Sequence, residues 1–278
     1  MRDKPGHGRT LSYYDFGRTT VHCAQVDKRF SYCAYVPRSY DEDGTDRYRL
    51  FVSVHGTMRD IGDHRDAFIG FAERHQVIIL APLFPAGITA PGELSSYKMM
   101  RAGTLHYDAI LLSMVDEMAQ RYRLDCGRFG LFGFSGGGHF AHRFLYLHPE
   151  RLSTVSIGAP GIVTLLDADH DFWVGVRDFE TVFAKPLDID AIRRVEVQMV
   201  IGGDDTDTWE IAITPDSPMW MPGATLAGAN RQDRMKSLKA SLETHGIAVR
   251  HDVVPGVAHR RDGLMPAIED FLDRAYGK

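Results

Sequence analysis

The sequence predicts an α/β fold: a mostly parallel β-sheet covered by helices on both faces. Two observations carry this. From residue 48 onward, short apolar runs alternate with amphipathic segments, the rhythm of repeated β-α units. Several of the runs are continuously apolar, as strands must be when helices bury both of their faces. The composition agrees: of 278 residues, 44% are hydrophobic and 25% charged, which excludes a disordered, collagen-like or coiled-coil chain.

Residues 1–18 are polar and Gly-rich and read as a loosely attached arm. Residues 20–26 and 29–36 are rich in β-branched and aromatic side chains around a break at Asp27-Lys28, which predicts an antiparallel hairpin. Buried strands are expected at 50–54, 77–80, 129–134, 154–157, 195–201 and 248–253. Helices are expected at 65–75, 107–122, 138–147, 188–194, 231–245 and 265–275. The second of these has the clearest spacing, with Ile110, Leu111, Met114, Val115 and Met118 on one stripe and Asp116, Glu117 and Gln120 opposite. Proline stops the third at His148-Pro149. Two long connections, 160–186 and 206–230, interrupt the pattern. Loops of that length inside a compact domain usually serve as lids or binding loops, so they are a candidate cap and a candidate lid on a single domain spanning 1–278.

The chemistry concentrates at Gly133-Phe134-Ser135-Gly136-Gly137-Gly138, between an expected strand and an expected helix. This is a G-x-S-x-G nucleophile elbow, in which a tight turn lifts the serine hydroxyl clear of the sheet. A phosphate-binding loop would need a lysine after the last glycine, and none follows. An acyl carbon under attack develops an oxyanion, which backbone N–H groups must already face. Gly136 supplies one, and the residue after Val54-His55-Gly56 supplies the other: Thr57 first, Met58 second. A serine also needs a base. Among 13 histidines, His259 has the best setting, in the loop Val254-Pro255-Gly256-Val257-Ala258-His259 that follows the last expected strand. His139, His142 and His148 lie too near Ser135 along one helix to turn back onto it. The orienting acid comes from Gly202-Gly203-Asp204-Asp205-Thr206-Asp207, at the carboxyl end of a strand. Asp205 is the first choice, Asp207 the second and Asp204 the third; as a metal loop the cluster lacks further ligands.

With these segments in the order Ser135, Asp205, His259, the chain from about residue 49 resembles the α/β-hydrolase superfamily. The resemblance rests on Val54-His55-Gly56, Gly133-Phe134-Ser135-Gly136-Gly137, Leu147-His148-Pro149-Glu150-Arg151, Gly202-Gly203-Asp204-Asp205 and Pro255-Gly256-Val257-Ala258-His259. It implies a Ser-His-Asp triad at the carboxyl edge of the sheet and an acyl-enzyme mechanism without metal or cofactor. The family's acid pattern, a glycine with aspartate three residues on, matches Gly202 and Asp205. The leading expectation is a carboxylic-ester hydrolase acting on a small-molecule ester. A thioesterase, a polyester depolymerase, a peptidase and a non-catalytic ligand-binding member are the alternatives, because one fold hosts many functions. Phe134, Met58, Trp209 and Trp220 are expected to line the substrate pocket.

The remaining expectations concern location and partners. A net charge of −5 argues against a nucleic-acid partner. Cys23, Cys33 and Cys126 lack metal-ligand spacing and cannot all pair, so they read as buried or inert thiols in a reducing compartment. A charged amino terminus and the lack of any run near 18 apolar residues point to the cytoplasm with no membrane span.

Overall fold

The computed structural model describes residues 11–277. The strands in chain order are β1 (Gly17–Arg18), β2 (His22–Cys23), β3 (Ser31–Val36), β4 (Tyr48–Val54), β5 (Val77–Leu83), β6 (Arg101–Ala102), β7 (Leu105–His106), β8 (Leu124–Phe134), β9 (Leu152–Gly158), β10 (Glu196–Gly202) and β11 (Val249–Val254). Nine of these described strands form one sheet, in the order β1-β3-β5-β4-β8-β9-β10-β11 with β2 also on β3. From β5 to β11 every pairing is parallel, whereas β1, β2 and β5 run antiparallel to β3. β6 and β7 form a separate ribbon.

The helices are α1 (Ile61–Asp66), α2 (Ile69–His75), α3 (Tyr107–Arg121), α4 (Gly136–Leu147), α5 (Phe179–Phe183), α6 (Ile189–Ile192), α7 (Arg231–Thr244) and α8 (Met265–Tyr276). Both faces of the sheet are covered, and the period of two in β8 shows how. Phe129 contacts Phe144 of α4, while Phe132, three residues on, contacts Phe68 beside α2. On that second face Phe51 meets Phe68, Phe71 and, on α8, Tyr276. Among the described residues, no helix is long and apolar enough to cross a membrane.

Three elements depart from the sequence reading. The expected helix at 65–75 is two short helices broken at Ala67 and Phe68, because Phe68 is fully buried against Phe51 and Phe132. β8 begins at Leu124, five residues early, and crosses a register shift before Gly130. Of the arm, residues 1–10 lie outside the described residues, but 11–18 are fastened: Leu11 and Phe16 are buried, and the Tyr122 hydroxyl donates to Asp15 O at 2.7 Å. The three cysteines are free thiols, with Cys33 buried but Cys23 exposed.

The two long connections pack on each other. Ile162, Trp173, Val174 and Ala224 form an apolar cluster separate from the main core, and Trp173 Nε1 donates to Met219 O at 3.0 Å.

Candidate active site

The chain leaves β4 toward β5 on one side, yet leaves β8 toward β9 on the other. The carboxyl ends of β4 and β8 therefore flank a topological switch point, where parallel sheets leave a crevice for ligands. His55-Gly56-Thr57 follows β4, and Ser135 follows β8.

Ser135 has φ 55° and ψ −114°, a backbone conformation that side-chain-bearing residues rarely adopt. Its N–H donates to Gly158 O at 2.8 Å, and α4 starts at the next residue. The turn closes only because its neighbours lack side chains. A Cβ on Gly133 would lie 2.0 Å from Gly137 O, and one on Gly137 would lie 2.3 Å from Val54 O. The amino-terminal end of α4 then directs its positive dipole toward the serine.

Thr57, Ser135 and Gly136 line one cavity of about 250 Å³. Thr57 sits against Gly136: a Cβ built there would be 3.1 Å from Thr57 Oγ1. Two side chains brace this segment. Buried His55 donates from Nδ1 to Gly56 O at 2.7 Å and accepts at Nε2 from Phe84 N at 3.0 Å. Burial pushes its imidazole down to about 3, so it is neutral, as its accepting Nε2 requires. Arg59 grips Thr57 O and Phe84 O, the latter at 3.0 Å.

His259 and Asp205 come from the loops after β11 and β10, with Nδ1 and Oδ2 2.6 Å apart. Asp205 is buried, while Asp204 and Asp207 are exposed. The loops after β10 and β11 are joined by backbone bonds, Gly203 N to Val254 O at 2.7 Å and Asp204 N to Val257 O at 2.9 Å. The second oxygen of Asp205 faces Arg231 Nη1 at 3.3 Å, and Arg231 Nη2 holds Glu210 at 2.7 Å. Among the described residues no hydrogen bond joins Ser135 to His259. Such contacts commonly tighten only when substrate is bound.

The structure distributes the four residues expected to line the pocket. Phe134 is 8% exposed and stacks on His259, and it lines neither the cavity beside Ser135 nor the one next to it. Met58 and Trp209 are 87% and 78% exposed, and neither lines the cavity. Trp220 lines a second cavity of about 430 Å³, which shares Ser95, Met99, Pro218 and Met219 with the first. The first cavity also has walls that the sequence did not signal: Lys98, His139, Glu210 and Arg231. His139 accepts from Gly161 N at 2.8 Å and Ile162 N at 3.2 Å, so it holds the loop after β9. Among the described residues no group of three His, Cys, Asp or Glu is placed to hold a metal ion.

The chain matches no protein-family model, and no curated protein matches it in sequence. Solved structures do resemble it. Poly(aspartic acid) hydrolase-1 from Sphingomonas sp. KT-1 superposes with a TM-score of 0.73 at 21% identity, over 92% of this chain and 98% of that one. A poly(3-hydroxybutyrate) depolymerase from Bordetella parapertussis gives 0.65 at 24% identity, over 89% and 82%. Fluorophosphonate-binding serine hydrolase F from Staphylococcus aureus gives 0.63 at 12%, over 94% and 100%. The chain has the α/β-hydrolase fold.

Proposed function

We propose that the protein is a serine hydrolase that cleaves carboxylic esters through an acyl-enzyme. The observation that carries this is the Asp205–His259 hydrogen bond of 2.6 Å, with the His259 ring stacked on Phe134 next to a serine strained at φ 55°. With Nδ1 bound to Asp205, His259 keeps Nε2 for the reaction. Ser135 Oγ attacks the acyl carbon as its proton passes to Nε2, and the carbonyl electron pair moves onto oxygen. The N–H groups of Thr57 and Gly136 hold that oxyanion. When the carbonyl re-forms, the alcohol leaves with the proton from His259. Water, deprotonated by the same nitrogen, then attacks the acyl-serine and releases the acid. The substrate enters a single unit, walled by 160–186 and 206–230. Three free thiols support a reducing compartment, the cytoplasm.

A polymer substrate is the second reading. The cavity beside Ser135 shares Ser95, Met99, Pro218 and Met219 with a second one, and two structural neighbours are named for polymer hydrolysis.

The test is labelling with a fluorophosphonate probe, followed by mass spectrometry. Label on Ser135 that disappears in His259→Ala supports the reading. Label elsewhere, or an undiminished rate in His259→Ala, refutes it.

A further inference from the structure

We propose that the cavity beside Ser135 takes an ester bearing a carboxylate near the scissile bond, and that Lys98 is the residue that recognises this charge. The inference rests on the ester-hydrolase reading above. Lys98 lines the cavity directly against the elbow: a Cβ on Gly136 would lie 2.9 Å from its Cε. Its ammonium is half-buried and bonded to Ser95 Oγ at 3.2 Å, and no carboxylate pairs with it among the described residues. Burial, reinforced by Arg59 and Arg143 and opposed by the more distant carboxylates Glu210 and Glu93, brings it down to about 8. A half-buried cation with only a neutral hydroxyl as its hydrogen-bond partner gains a charge-assisted bond when an anion enters.

The rest of the wall points the same way. The other cation there, Arg231, is already matched by Asp205 and Glu210, so the acidic side chain on the wall is also spent. What remains unmatched among the wall cations is Lys98, and one such cation matches a monoanion. Lys98 is also a placed group: buried Arg143 donates to its carbonyl oxygen and to Thr164 Oγ1, tying its turn to the loop after β9.

The test compares matched esters. On the acyl side, mono-para-nitrophenyl adipate is set against para-nitrophenyl hexanoate. On the alcohol side, para-acetoxybenzoate is set against para-acetoxybenzamide. In at least one pair the anion should have the higher kcat/KM, and Lys98→Met should reduce that preference about 10- to 100-fold, mainly through KM. Lys98→Arg should restore it. The inference is overturned if neither pair favours the anion, or if Lys98→Met lowers kcat on neutral and anionic esters alike, which would place the lysine at the oxyanion. Turnover of neither pair together with an unlabelled Ser135 would instead remove the hydrolase reading, and this inference with it.

Discussion

The rings of Phe134 and His259 lie face to face, with centroids 4.7 Å apart and planes 27° apart. Phe134 is the residue directly before Ser135, so on the proposed mechanism the strand that delivers the nucleophile also supports the base. Face contacts between aromatic rings contribute about 0.5–1.5 kcal/mol beyond their area. Phe134→Leu should therefore lower kcat on a para-nitrophenyl ester by about 2- to 10-fold with little change in KM. An unchanged kcat would show that the ring does not hold His259 in place.

Only Asp205 of the three clustered aspartates reaches His259. Asp205→Asn should lower kcat by on the order of 10⁴, and Asp207→Asn should leave it within about twofold, since Asp207 is exposed. The opposite pattern in steady-state kinetics would move the acid role to Asp207.

Arg231 is buried against Asp205, and its removal leaves a carboxylate oxygen with no counter-charge. Arg231→Met should cost about 3–5 kcal/mol of unfolding free energy in a urea titration. Arg231→Lys should recover part of it. A loss under about 1 kcal/mol would mean that the pair has little effect on stability.

His55 and His64 are both held neutral, pushed by burial from 6.5 down to about 3. Below pH 6.5 the unfolded chain takes up protons that these folded side chains refuse, so the stability they contribute falls as pH drops and is lost near pH 3. Each should add a slope of about 1.4 kcal/mol per pH unit in that window. Urea titrations between pH 7 and pH 5 should show a flatter slope in a variant carrying His55→Asn and His64→Asn. Equal slopes would contradict the burial argument.

The parallel sheet was legible because its strands are buried on both faces and leave continuous apolar runs, such as Val77 to Leu80. The elbow was legible because sterics leave no choice of residue at Gly133 or Gly137. Lys98 and Arg231 left no such mark. Each is a single cation whose position depends on long-range packing, Lys98 through Arg143 and Arg231 through Asp205, and no local spacing encodes that. Along its helix His139 lies too close to Ser135 to bend back onto it. It instead reaches sideways to the backbone of Gly161, which one helix considered alone cannot reveal. The break at Phe68 was hidden for the same reason, since the ring it fills against belongs to another strand.

β11 is the outermost strand on its side of the sheet, partly exposed along its length, whereas β4 and β8 are interior. On the proposed mechanism the base therefore hangs from the sheet's margin and the nucleophile from its interior, and margins open more readily. Heating should silence this protein while most of its sheet is intact. On cooling, recovery should follow the re-docking of a single C-terminal strand.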